Sequence, residues 1–249
     1  MPFCKICYIL GMRLHRFYVK IPITLERFDI SDRDLIHQWR TVFRYNVGSQ
    51  VILFDGGGTD HLCMITSLRN LGATVEVIEK KNPPAGGPKI NLWLCVGIIK
   101  KDNFELAVEK ATELGVSHII PVLCERSEKK NINMERLEKI AIESSEQSGR
   151  GDIPVIHAIL ELPELLESGI LPKNKILLNL EGDYIGDVLK NDPPVGGRKD
   201  LAVFIGPEGG WSERELQKFT EHKIQNVSLG SQILRAETAS IAIASLLLL

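Results

Sequence analysis

Leu201-Ala202-Val203-Phe204-Ile205-Gly206-Pro207-Glu208-Gly209-Gly210-Trp211 decides how this chain folds, because it joins five apolar residues directly to a glycine-bearing bend. An apolar run of that length, stopped by Gly and Pro, predicts a strand buried on both faces, as in a parallel sheet. A second stretch of the same grammar follows one α/β unit later. Asn226-Val227-Ser228-Leu229 leads into Gly230-Ser231-Gln232-Ile233-Leu234-Arg235-Ala236-Glu237-Thr238-Ala239 and then an apolar helix. The two loops are expected to leave the carboxyl ends of neighbouring strands. There Gly lets backbone approach a ligand in the crevice where open α/β sheets bind small molecules.

Upstream, the same rhythm runs back to residue 90. Strands are predicted at 90–96, 117–123, 155–159, 175–180, 201–205 and 227–229, with helices at 102–114, 133–147, 161–168, 212–222 and 236–249. Such alternation calls for an α/β fold with a parallel sheet covered by helices. Ahead of it, Lys80-Lys81-Asn82-Pro83-Pro84-Ala85-Gly86-Gly87-Pro88 breaks any regular element and marks a domain boundary. Residues 12–80 read differently. Runs at 50–55 and 60–66 flank Gly56-Gly57-Gly58 and predict a hairpin, and 73–79 alternates with period two. One helix, with Ser31 as its N-cap, carries Leu35, Ile36 and Trp39 on its apolar side. Mostly antiparallel β with one helix suggests a small barrel.

At 249 residues the chain can bury a substantial core in one large or two modest domains, and 44% hydrophobic with 25% charged residues is an ordinary globular balance. A net charge of -2 argues against whole-surface binding to nucleic acid, so an RNA reader of this composition must concentrate its positive charge. Lys5, Arg13, Arg16 and Lys20 all precede the first acidic residue, Glu26, although such a run also suits a solvated face. Five cysteines give no disulfide framework, and Cys63 and Cys95 read as small core hydrophobes. Cys4-Lys5-Ile6-Cys7 has no second Cys or His pair to complete a zinc site. His15, His37, His61, His118, His157 and His222 form no i,i+4 pair, so no metal is expected. Tyr8-Ile9-Leu10 is too short for a signal-peptide core, and the run 241–249 falls far short of the ~20 apolar residues of a membrane span. A cytoplasmic location is the simplest expectation.

Five groups of residues, in order along the chain, carry a family resemblance. They are Arg13-Leu14-His15-Arg16-Phe17-Tyr18, Lys110-Ala111-Thr112-Glu113-Leu114-Gly115-Val116, Glu125-Arg126-Ser127, Glu146-Gln147-Ser148-Gly149-Arg150, and the two glycine-bearing loops. Together they resemble the RsmE-type 16S rRNA (uracil-N3) methyltransferases of the SPOUT superfamily, over nearly the whole chain. The resemblance implies a PUA-like β-barrel domain for RNA at 12–80, a linker at 81–89, and a SPOUT methyltransferase domain at 90–249. That domain would thread its C-terminal segment into a trefoil knot, a feature so rare that pattern alone never licenses it. Residues 1–11 precede the family-like opening at Met12 and read as an extension or as an upstream choice of start codon. S-adenosylmethionine is the implied cofactor and 16S rRNA of the small ribosomal subunit the implied partner. A homodimer is implied through the terminal helix, whose run 241–249 is apolar nearly all round and needs cover.

Methylation of uridine N3 requires loss of a proton lying between two carbonyls before N3 attacks a sulfonium methyl group. A base, or a cation that stabilises the resulting anion, must stand within hydrogen-bond reach. The resemblance places Arg235 there, against a uracil carbonyl or a phosphate. Glu237 is the candidate for the proton, although a carboxylate at a helix start also answers the helix dipole. The cofactor pocket implied by the resemblance takes Leu180, Ile205, Gly206, Pro207, Glu208, Gly209, Gly210, Leu229, Gly230, Leu234, Ala236, Thr238 and Ala239. Glu208 could instead cap the helix at 212–222, where Ser212 with Glu215 makes the better capping box. RNA contacts are expected from Arg13, Arg16, Lys100, Arg126 and Arg150, with Arg126 equally able to pair with Glu125 or Glu128. The chain departs from the family at Ser231-Gln232, where a Pro- or Arg-bearing pair is commoner. Three other functions compete. A nucleotide-binding enzyme lacks its GxGxxG or GxxxxGK[ST] loop after a strand. A noncatalytic RNA-binding or ribosome-assembly module would not require the intact Arg235-Ala236-Glu237-Thr238. A methyltransferase acting on another RNA uridine fits the same residues.

Overall fold

The computed structural model describes residues 14–82, 90–128, 131–191 and 199–249. Residue contacts divide the chain into two units, Met1–Ala85 with Ser145–Asp152, and Gly86–Ser144 with Ile153–Leu249. The sequence boundary at 80–88 brackets the first division. Residues 145–152, expected in the second domain, pack instead with the first unit. The expected extension 1–11 and most of the expected linker lie outside the described residues.

In the first unit, strands β1 (Arg16–Tyr18), β2 (Arg27–Ile30), β3 (Gln50–Phe54), β4 (Asp60–Arg69) and β5 (Gly72–Lys81) form one sheet in the order β1-β3-β4-β5-β2. Only β1 and β3 pair in parallel. The predicted hairpin is β3–β4, and His61, Cys63 and Ile65 of β4 alternate inward. Two register shifts between β4 and β5 mark places where such a sheet bends. Helix α1 (Arg33–His37) runs into a π-helical turn, Gln38–Val42. Its N-cap is Asp32 rather than Ser31, since an Asp32 carboxylate oxygen accepts from the Asp34 and Leu35 amides at 3.0 and 3.1 Å. The fully buried Trp39 centres the core, edge-on to Phe17 at 5.6 Å and clustered with Leu53, Cys63, Ile65 and Val75.

Arg16 explains why residues 145–152 join this sheet. Its Nε and Nη2 donate to the two Asp60 oxygens at 3.1 and 2.6 Å, and Nη1 donates to the carbonyls of Ser145 and Glu146 at 2.8 and 3.3 Å. Nη2 also reaches the Arg150 carbonyl at 3.0 Å, and the guanidinium lies 4.5 Å over the Phe54 ring. Glu146 returns the contact by accepting the Tyr18 amide at 2.8 Å, and Gly58 donates to the Gly151 carbonyl at 3.1 Å.

The second unit holds β6 (Ile90–Gly97), α2 (Lys101–Leu114), β7 (His118–Leu123), α3 (Met134–Ser148), β8 (Val155–Ile156), β9 (Leu160–Glu161), α4 (Leu162–Glu167), β10 (Asn174–Tyr184), α5 (Ile185–Asn191), β11 (Lys199–Ile205), α6 (Glu213–Glu221), β12 (Gln225–Ser228) and α7 (Ala236–Leu248). The last turn of α3, from Ser145, belongs to the first unit. The sheet runs β12-β10-β11-β6-β7-β8, with β9 also on β7, and every pairing is parallel. Strand β11 shows why its sequence is continuously apolar. Val203 and Ile205 face a cluster with Phe104 and Val108 of α2 and Ile243 and Ala244 of α7, while Ala202 and Phe204 face one with Leu165 of α4 and Phe219 of α6. One expectation needs correction: β11 and β12 are not neighbours, because β10 lies between them. Strand β12 is four residues long and exposed over its first half, as suits a sheet edge.

Replacing Arg16 by Ala removes the donors to a carboxylate and three carbonyls at once. With the Arg16 side chain only 10% exposed, the cost should be about 3 kcal/mol in urea-induced unfolding, with new protease cleavage between 145 and 152. Wild-type stability and an uncut segment would show that Arg16 does not hold it.

Candidate active site at the carboxyl edge of the parallel sheet

Because every pair is parallel, the loops after β6, β7, β10, β11 and β12 all leave the same edge of the sheet. The loop after β11 is closed by the Gly210 amide, which donates to the Pro207 carbonyl at 2.8 Å. Two neighbours brace this bend. A Cβ on Gly97, the last residue of β6, would stand 2.7 Å from Pro207 Cδ and N, so only glycine lets the bend sit there. In the loop after β7, Arg126 Nη1 donates to the Gly209 carbonyl at 3.2 Å, and a Cβ on Gly209 would fall 3.0 Å from Arg126 Cβ. Arg126 therefore braces the bend and pairs with neither Glu125 nor Glu128. Glu128 lies 4.0 Å from Lys100 Nζ, and that pair is exposed and weak.

Glu208 does not cap α6. Its carboxylate accepts the Lys100 amide at 3.3 Å, at the start of α2. Helix α6 has the predicted capping box: Ser212 Oγ accepts the Glu215 amide at 3.1 Å and Glu215 returns to the Ser212 amide at 2.7 Å. The other Glu215 oxygen accepts the Glu125 amide at 3.0 Å, fastening the β7 loop to α6. Trp211, to which the sequence assigned no role, is buried beneath Gly206 and meets Phe219 edge-on at 4.8 Å.

The loop after β12 turns at Gly230, whose φ of +128° is open to glycine and strained for other residues. Arg235 is the N-cap residue of α7, exposed, and without an ion pair among the described residues. Glu237, two positions on, has the opposite surroundings. It is only 6% exposed, and its Oε2 has no hydrogen-bond partner among the described residues. Buried carboxylate oxygens are almost always satisfied, so this one stands ready for a donor beyond those the described residues supply.

The other predicted pocket residues divide by environment. Ile205, Ala236 and Ala239 are buried in one apolar cluster, with Leu229 and Leu234 packed against it. Thr238 is exposed. Leu180 is also exposed, in the bulge between the two stretches where β10 pairs with β12. Since β10 separates β11 from β12, that bulge falls between the two glycine loops in sheet order. The RNA candidates divide too. Lys100 and Arg126 are at this edge and exposed. The guanidiniums of Arg16 and Arg150 are engaged inside the first unit, the latter by both Asp152 oxygens at 2.9 Å, so neither stands open to a phosphate. Arg13, Cys4 and Cys7 lie outside the described residues.

Other reactive groups are placed as structure. Burial pushes the Cys63 and Cys124 thiols up to about 12 and raises that of Cys95, so none offers a thiolate. His118 and His157, 39 residues apart, meet at 3.1 Å with Trp93 stacked on His118, and burial pushes His157 below its ordinary range. Among the described residues no group of His, Cys, Asp and Glu could hold a metal ion, and no helix is long and apolar enough to cross a membrane.

Fold and site together define an RNA methyltransferase: the family model for the RNA methyltransferase domain matches residues 87–248. The ribosomal RNA small subunit methyltransferase E of Rickettsia conorii is 32% identical over 243 residues, covering 96% of this chain and 97% of its own. A ribosomal RNA small subunit methyltransferase E from Neisseria gonorrhoeae, solved bound to S-adenosyl methionine, superposes with a TM-score of 0.81 at 28% identity, over 94% of this chain and 96% of its own. A Legionella pneumophila methyltransferase solved with SAM gives 0.82 at 26% identity, over 95% and 97%. This chain belongs to the ribosomal RNA small subunit methyltransferase E family.

Gly97→Ala tests the brace. Its methyl group would drive against Pro207 backbone and the Cys124 sulfur, so unfolding stability should fall by about 1–3 kcal/mol, measured by urea titration. An unchanged midpoint would mean the bend is not seated against β6.

Proposed function

We propose that the chain transfers the methyl group of S-adenosylmethionine to N3 of a specific uridine in 16S rRNA of the small ribosomal subunit. One observation carries the chemistry. An exposed cation, Arg235, and a buried carboxylate, Glu237, with one oxygen unpartnered among the described residues, stand two residues apart beside the glycine loops of a parallel sheet edge.

The residues present suit the cofactor. The glycine-built bend 206–210, the loop 229–234, the Leu180 bulge and the apolar floor of Ile205, Ala236 and Ala239 offer backbone amides and carbonyls with few intruding side chains. Glu208 and Thr238 are the exposed polar side chains of this set. S-adenosylmethionine supplies an electrophilic methyl group on a sulfonium. In our reading Glu237 accepts the N3 proton through the buried oxygen that has no hydrogen-bond partner among the described residues. Arg235 stabilises the charge that spreads onto the uracil carbonyls as that proton leaves. Lys100 and Arg126, at the same edge, hold RNA phosphates.

The finer architecture belongs to the same proposal. The mixed sheet of 12–80 is read as a PUA-like barrel for RNA, and 90–249 as a SPOUT domain with a trefoil-knotted C-terminal segment. Helix α7 buries Ile243, Ala244 and Leu247 but exposes Leu246, and Leu249 just after the helix is exposed too, an apolar edge that fits a second copy of the chain. We read the protein as a cytoplasmic homodimer.

Single-turnover methylation of 16S rRNA, with both substrates saturating, should fall by roughly 100-fold in Glu237→Gln and in Arg235→Ala. Wild-type rates in Glu237→Gln would remove it as the proton acceptor. Mass-spectrometric mapping that finds no methylated N3 in the wild-type product would sink the whole reading in favour of a noncatalytic RNA-binding module. Calorimetric titration should show saturable cofactor binding, weakened about tenfold or more in Gly230→Ala, because alanine strains the loop at that φ. A monomer in sedimentation at micromolar concentration would defeat the homodimer.

A further inference from the structure

In the first unit, a cavity of about 410 Å³ beside the π-helical turn is lined by Arg40, Arg44, Tyr45, Asn46, Val47 and Leu68. That volume lies within the ~300–1,000 Å³ of small-molecule sites. Two guanidiniums line it and no carboxylate does. The Arg40 Nη1 donates to the neutral Asn70 side chain, and Arg40 has no ion pair among the described residues, which leaves further donors available. Arg44 is exposed and has no ion pair among the described residues.

The backbone here is unusual in two ways. Gln38–Val42 is π-helical, and Arg44 is held at φ +53°, where a residue other than glycine carries strain. Both features concentrate at functional sites, and here both aim a cation at one cavity. The aromatic wall is fixed rather than strained. Tyr45 stacks on Phe43 at 5.4 Å and 13°, its hydroxyl meets His15 Nδ1 at 2.9 Å, and its amide donates to the Trp39 carbonyl at 2.8 Å. Val42 and Val47, 66% and 65% exposed, leave apolar surface next to the charges. Cations without an ion pair among the described residues, a rigid aromatic side chain and exposed apolar surface together suit a flexible polyanion bearing flat bases.

We propose that this cavity binds one nucleotide of a single-stranded segment of the rRNA substrate, with Arg40 and Arg44 on its phosphates and Tyr45 against its base or ribose. The inference rests on the rRNA methyltransferase reading and gives the RNA a second foothold, on the first unit, built from residues other than those placed in methyl transfer.

Binding of a single-stranded RNA oligonucleotide and of full 16S rRNA transcript by the whole chain, over a range of salt, tests it. R40A/R44A should weaken both about tenfold or more and reduce the slope of log affinity against log salt by roughly 1.4, about 0.7 for each single-strand phosphate no longer neutralised. Cofactor affinity should not change. Arg44→Gly separates function from stability, because it relieves the positive φ while deleting the cation. It should hold or raise the melting temperature and still weaken RNA binding. Wild-type RNA affinity and salt slope in R40A/R44A overturn the proposal, as does a loss of affinity in Arg44→Gly only in step with a lower melting temperature. Failure of uridine methylation by the wild type would leave these binding results readable, so the two readings fall separately.

Discussion

Parallel pairing of β6 with β11, seven residues in continuous register from Ile90 with Lys199 to Val96 with Ile205, is the constraint on which the catalytic unit depends. Parallel strands cannot be joined by tight turns, so each must be followed by a crossover that returns the chain to the starting edge. The crossovers are helices, and they bury both faces of the sheet. The loops before them are all delivered to one edge. The bend at 206–210, the Arg126 loop and the start of α2 touch one another there only because β11, β7 and β6 point the same way.

This constraint also set how much could be read in advance. A strand buried on both faces must be apolar along its length, which made β6, β7, β10 and β11 visible as uninterrupted runs. Strands β1 and β2 escaped notice because three and four residues at a sheet edge carry too short a pattern. Helix α5 was missed as well, behind a longer β10 than the apolar run 175–180 suggested. Strand order was not legible at all. Nothing local in Gln225–Ser228 says that it pairs with β10 rather than β11, since pairing partners are chosen by the whole layer and not by the strand.

Of the proposed site, the glycines and the charged pair stand out in the sequence, and the supports do not. Gly206, Gly209, Gly210 and Gly230 announce themselves in loops after apolar runs. Gly97 does not, because its reason to be glycine, the Pro207 ring, lies more than a hundred residues away. Trp211 and the third bond of Glu215 are hidden for the same reason. Sequence could weigh Glu237 as helix cap or as base, but only the folded surroundings show that it is buried and that one oxygen has no partner among the described residues. For Arg16 and Arg150 the difficulty ran the other way. A basic residue near a terminus or in a loop looks available to RNA until its partners are seen.

Arg16 has a consequence for the order in which the protein is made. Its carboxylate partner, Asp60, follows 44 residues later, but the carbonyls of Ser145, Glu146 and Arg150 follow only after 129, 130 and 134. At the ~5–20 residues per second of ribosomal synthesis, the 85 residues from Asp60 to Ser145 take roughly 4–17 s to appear. From the end of β5 at Lys81 until Ser145 emerges, the first sheet has its strands but not its last bonded segment, and water occupies the donors that Arg16 will later give to backbone. The unit that is begun first is thus completed by chain emerging well after it, once β6, α2, β7 and most of α3 have been translated.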